Sequence, residues 1–147
     1  MFVVSFLSWT LLLYCVHRAL HVWRIPFVTR CHFDHHKQVT KGTNQKGQHW
    51  TNYLLFYDSW RSTVDQWITE VIPTIAFCAV TGEWWIAAFY YIWAAFIQER
   101  LEHNSDFDLY PWMTSGKYHM VHHQDSRKNF GAFFPIWDIL FGTNVKV

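Results

Sequence analysis

The sequence predicts an all-α fold, an integral membrane helical bundle that carries a histidine-rich cap on its cytosolic side. Three observations lead there. The chain is 51% hydrophobic and 20% aromatic over 147 residues, unusually apolar for a single small domain. Its twelve Lys and Arg fall within residues 18–61 and 100–128 and at Lys146, and the two stretches without any, 1–17 and 62–99, are the apolar ones. Nine of its ten histidines gather near three places beside the ends of those stretches.

One domain over residues 1–147 is expected, made of an apolar helix 2–23, an apolar helical hairpin 66–98 and a cap formed by 17–61 and 99–143. As a helix, 2–23 is about 33 Å long, enough to cross a hydrocarbon core of roughly 30 Å. It lacks a basic leader and a small-residue cleavage site, so it reads as retained rather than as a secretory signal. The connector 41–49 is rich in turn formers and reads as a surface loop. Residues 53–60, aromatic and mixed in polarity, suit a helix lying in the interface. The region 66–98 breaks at Thr81, Gly82 and Glu83 into two arms. About 15 strongly apolar residues per arm give roughly 22 Å, so the arms either extend through their flanks or stop short of a full crossing. Pro73 is expected to kink the first arm, and Glu70 needs a partner or the interface. One helix and a hairpin put all the cationic side chains on one side, which the positive-inside tendency makes cytosolic. A soluble bundle with very apolar helices is the alternative, because the hairpin arms are marginal in length.

A net charge of +1 gives no reason to expect a nucleic-acid partner. Cys15, Cys31 and Cys78 are odd in number and lack CxxC spacing, so they read as free reduced thiols rather than a disulfide framework or zinc site. The aromatic residues Trp84, Trp85, Tyr90, Tyr91 and Trp93 read as an interfacial belt in preference to a lipid channel.

The chemistry lies in the histidines. His17 and His21 are spaced i, i+4 and project from one helix face. His32, His35 and His36 form one HxxHH triplet, and His119, His122 and His123 form another. On a helix, two members of such a triplet reach one metal ion and the third reaches a neighbouring ion. Chance would place two such triplets in a chain this rich in histidine on the order of once in a thousand. His103 lies where the hairpin returns to the histidine side and joins the candidates. His49, alone in a Gly-rich loop, reads as solvated. Singly, each cluster has a bland reading: interfacial histidines bonded to headgroups or backbone. Together, nine imidazoles exceed what one ion coordinates, so two ions are expected. Imidazole suits iron, zinc and copper, and the absence of ExxH and HExxH argues against soluble di-iron bundles and zinc proteases. A redox-active iron pair explains a site beside lipid, with zinc and copper left open. Asn104, Asp34 and Asp125 are candidates for hydrogen bonds that orient the imidazoles, against their ordinary roles as caps or surface residues. A non-catalytic membrane carrier of metal, or of haem between facing histidines, is the reading from another class, and two triplets exceed the needs of haem.

The ordered motifs His17-Arg18-Ala19-Leu20-His21, then 32–36, His103-Asn104, 119–123, Lys128-Asn129-Phe130-Gly131 and the closing Trp137-Asp138-Ile139-Leu140-Phe141-Gly142-Thr143 resemble the fatty acid hydroxylase and sterol desaturase superfamily across residues 14–143. The resemblance implies a cytosol-facing di-iron centre held by these histidines. It also implies O2-dependent hydroxylation of a fatty acyl chain or sterol, with desaturation or carotenoid hydroxylation as alternatives. Electrons would come from a separate donor, a b-type cytochrome with its NAD(P)H reductase or a ferredoxin. The membrane would be the endoplasmic reticulum in a eukaryote or the inner membrane in a bacterium. Relatives usually carry more apolar chain ahead of the first motif, so a minimal or truncated member, open to oligomerisation, is expected. The closing motif reads as structural, with Gly142 in a turn.

Overall fold

The computed structural model describes residues 2–43 and 49–145, and every extended element among them is helical. Helix α1 (Phe2–Trp23) ends where Arg24 turns left-handed at φ 49° and Ile25 is held extended ahead of a proline. Pro26 then opens α2 (Pro26–Thr40) at a position where its missing N–H has no helical partner to lose. This sharp reversal returns α2 against the end of α1 and lets His21 meet His32.

Residues 44–48 of the expected surface loop lie outside the described residues. His49 caps a short 3-10 turn (Trp50–Leu54) and is exposed. The helix expected over 53–60 does not continue past that turn, because Leu55 and Asp58 adopt left-handed φ values of 56° and 45°. Ser59 then accepts from Ser62 N and caps the next helix.

Helix α3 (Trp60–Gln66) passes through a π-turn (Trp67–Val71) into α4 (Ile72–Thr81) without a break. The π-turn absorbs the N–H that Pro73 lacks, so the expected kink appears as a widened turn. Gly82, at φ 77°, closes α4 with its N–H on Cys78 O. The return arm is α5 (Trp84–Trp93), a second π-turn (Ala94–Gln98) and α6 (Glu99–Leu101). Both arms thus extend through their flanks, but among the described residues α1 alone is long and apolar enough to cross a membrane. Only 28% of its apolar window is buried, so most of that helix faces outward. Two further helices, α7 (Lys117–Gln124) and α8 (Ile136–Leu140), complete the chain.

The core lies between α1 and the hairpin, where Trp9 and Leu13 meet Val71, Cys78, Ile86, Tyr90, Trp93 and Phe133. Trp9 Nε1 donates to Thr74 Oγ1 at 2.9 Å, which fixes α1 against α4. Tyr90 and Trp93 therefore belong to the core and not to an interfacial belt, whereas Trp84 and Tyr91 are exposed. Glu70 finds its partners inside the protein, in the amides of Gln66 and Gln98. The three cysteines are free.

Candidate metal centre

Helix geometry decides where each imidazole goes. His17 and His21, one turn apart on α1, face His32 and His36, one turn apart on α2. His122 of α7 closes this group, and the five ring nitrogens lie within 4.8 Å of one another. His35, a little round the α2 face, points instead toward His119 and His123 of α7. With His103, just past α6, these form a second group inside the same 4.8 Å limit. The two groups share a wall where the rings of His36 and His123 stand 4.4 Å apart. All nine sequence candidates thus fall into two clusters, and each triplet divides between them.

Within the first group, His32 Nε2 lies 2.7 Å from His21 Nε2 and 3.1 Å from His36 Nε2. Two neutral imidazoles facing each other this way share at most one proton, so lone pairs converge on one point. His17 Nε2, His122 Nε2, His123 Nδ1 and both ring nitrogens of His103 are buried with no hydrogen-bond partner. Buried nitrogens left unsatisfied are costly unless something else binds them. Donors around one ion at about 2.1 Å each stand no more than roughly 4.2 Å apart, in keeping with this spread. The donor set therefore fits two metal ions, one with five imidazoles and one with four.

Electrostatics agree with that fit. Burial, reinforced by neighbouring imidazoles, drives His36, His103, His119, His122 and His123 well below the ordinary histidine range. Burial lowers His35 to about 4, with the charge of Asp65 partly opposing. At neutral pH these rings carry no proton charge and present the lone pairs a metal needs.

The groups that orient the rings are not those expected. Asn104 accepts from Asp106 N, Asp34 pairs with Arg61 and Lys37, and Asp125 pairs with Arg127. Asn104 and Asp34 are adjacent to a histidine in sequence and Asp125 lies two residues past His123, but each side chain is engaged by these other partners. Asp65, at the end of α3, is the partner instead: it receives His32 Nδ1 at 2.9 Å, with both groups buried. Burial alone would raise its carboxyl, but His32, with His35 and His17 beside it, holds it below the usual carboxylate range. On the other cluster, Glu102 Oε1 stands 4.0 Å from His119 Nδ1. Burial raises Glu102 well above the ordinary range and Glu99 to about 8. A sequence signal for these acids existed: ionisable residues at the polar ends of apolar arms.

Two backbone carbonyls hold further rings. Phe130 O lies 3.0 Å from His17 Nδ1, and Lys128 O lies 2.7 Å from His122 Nδ1. The fully buried Asp138 sets this segment, accepting from Phe130 N and Gly131 N at 2.8 Å and from the hydroxyls of Thr143 and Tyr118. The closing motif is thus a brace for the histidines. A cleft with a cavity volume of about 40 Å³ lies against both clusters, lined also by Leu13, Gly131, Ala132, Tyr57, Gln66 and Glu99.

A family model described as fatty acid hydroxylase matches residues 2–143. The chain is 32% identical over 149 aligned residues to a very-long-chain aldehyde decarbonylase, GL1-5, of Oryza sativa subsp. indica. That alignment covers 92% of this chain and 22% of the rice protein, so the chain spans about a fifth of its relative's length. No solved structure matches the chain.

Proposed function

The chain belongs to the fatty acid hydroxylase family, whose members are membrane-associated, and from that premise we propose that it oxidises lipid with two non-haem iron ions and O2. The reaction is hydroxylation of an unactivated C–H bond in a fatty acyl chain or sterol. What carries the reading is the partition of nine histidines into groups of five and four around a shared wall. Bound there, the metal pair supplies redox chemistry toward O2 that no side chain offers.

The chain's own residues do the rest. Asp65 and the carbonyls of Phe130 and Lys128 take the Nδ1–H of His32, His17 and His122, leaving their Nε2 lone pairs directed inward. Leu13, Gly131 and Ala132 give the cleft an apolar side for one stretch of lipid and keep bulk water from the reacting carbon. α1 crosses the membrane with the histidine face cytosolic, in the endoplasmic reticulum of a eukaryote or the inner membrane of a bacterium. Electrons arrive from a separate donor protein. A second reading follows from the rice relative's printed name: cleavage of a long-chain aldehyde at its terminal carbon by the same centre. Desaturation is a third outcome of the same oxidant.

The test is metal content and optical spectrum of the detergent-purified protein, wild type beside His35→Ala and His122→Ala, with lipid profiles of expressing cells. About two non-haem irons per chain, lost in part or whole in both variants, together with new hydroxylated lipid, would bear the proposal out. Zinc unaffected by either substitution, or a haem Soret band, would sink it. New alkanes one carbon shorter than cellular aldehydes would move the reaction to the second reading.

A further inference from the structure

We infer that the closing segment 134–141 is a re-entrant membrane contact, lodged among the acyl chains beside the middle of α1, at the levels of Thr10 and Tyr14. The inference rests on α1 crossing the bilayer and not on the metal or the reaction.

The segment presents two faces. Inward, Trp137 Nε1 donates to Thr10 Oγ1 at 3.0 Å, and Asp138 is wholly buried. Outward stand Ile139, Leu140 and Phe141, exposed by 53%, 65% and 50%, flanked by Phe134 and Ile136. No Lys or Arg lies between Lys128 and Lys146, so nothing on this stretch favours the aqueous side.

Its height along α1 is fixed by two contacts. Trp137 meets Thr10, and the ring of Phe141 stacks on Tyr14 at 5.3 Å. At 1.5 Å per residue these levels are about 12 and 18 Å from the Phe2 end of a helix about 33 Å long. Where α1 is within hydrocarbon, α8 is beside it at the same depth. Its outward face then continues the apolar surface of α1, which is what selects lipid rather than another protein as its cover.

Backbone at that depth must bond internally, and bonds within the protein hold part of this segment. Ile139 N donates to Pro135 O, Phe141 N to Trp137 O and Thr143 N to Asp138 O. The descending strand is satisfied by the Asp138 carboxylate, which takes Phe130 N and Gly131 N. The ascending end returns beside the descending one, with Asn129 N on Thr143 O at 3.0 Å. The segment enters and leaves at the level of the histidines, and the same stretch carries the carbonyls that hold His17 and His122.

The experiment uses the full chain in phosphatidylcholine nanodiscs containing a lipid with a diazirine midway along one acyl chain, followed by irradiation, digestion and mass spectrometry. Adducts on 134–141 at a yield comparable to the outward residues of α1, and scarce with a headgroup-borne diazirine, are expected. In Leu140→Arg, labelling of 134–141 should fall at least about tenfold with α1 labelling unchanged. Labelling of α1 without 134–141, chain-to-chain adducts at 134–141, or no acyl-chain labelling of α1 would each overturn the inference, the last through its premise.

Discussion

Replacing Asp65 by Asn keeps the shape of the side chain and removes its charge, at a carboxylate hydrogen-bonded to a candidate metal ligand. The bond to His32 Nδ1 is 2.9 Å long and both groups are buried, so water and salt screen it little. Hydrogen bonds to charged groups contribute about 1.5–3 kcal/mol, and loss of a partner behind a metal-bound histidine costs about 10- to 100-fold in metal affinity. The two figures agree, since a tenfold change corresponds to about 1.4 kcal/mol. Asp34→Asn is the matched control, because Asp34 is engaged by Arg61 at the surface and touches no imidazole. Anaerobic titration of metal-stripped protein with Co2+ against a chelator, read by visible absorption, gives both affinities. The expectation is a loss of about 10- to 100-fold for Asp65→Asn and less than about twofold for Asp34→Asn. Equal behaviour of the two variants would refute the assignment of Asp65 as the orienting group.

Asp138→Ala leaves the buried Phe130 and Gly131 N–H groups without their acceptor and removes one partner each from the Thr143 and Tyr118 hydroxyls, and should cost about 3–5 kcal/mol, seen as a fall in Tm on the order of 10 °C. Gly131→Ala places a Cβ 2.7 Å from Phe134 O and 2.8 Å from Asp138 Oδ2, so a loss of about 1–3 kcal/mol and weaker metal retention are expected in chelator challenge. Metal-free protein should lose stability in acid. His35 titrates near 6.5 when unfolded and about 4 when folded, so the unfolded chain binds more protons below pH 6.5. Its stabilisation is complete above 6.5 and falls by up to about 1.4 kcal/mol per pH unit until pH 4, measured by thermal melts across that window. Stripping metal from the native protein should lower Tm more than any of these substitutions does, because the buried nitrogens of both clusters lose their partner together.

The histidine clusters were legible because a helix fixes spacing: i, i+4 pairs reach one ion and the intervening i+3 residue another, and tertiary packing had only to bring the stripes together. The hairpin was legible through Gly82, whose left-handed cap ends an apolar run. The orienting groups were not, because adjacency to histidine was the wrong criterion. Asn104, Asp34 and Asp125 sit beside ligands in sequence and away from them in space, while Asp65 is distant in sequence and bonded. Backbone carbonyls such as Phe130 O carry no sequence signature at all. Residues 53–60 suggested an interfacial helix by their aromatic, mixed-polarity makeup, yet most are weak helix formers and Leu55 and Asp58 turn left-handed.

The interleaving of α2 and α7 has a thermodynamic consequence. α2 sends His32 and His36 to one cluster and His35 to the other, while α7 sends His122 to the first and His119 and His123 to the second. Neither cluster has α2 or α7 to itself. An ion entering either one fixes the rotation and register of both helices, and thereby preassembles the other. On the two-ion reading proposed above, the second ion would bind a site whose ordering cost is already met; cooperative occupancy, scarce single-ion chains and release under a chelator as one event are the expected outcomes.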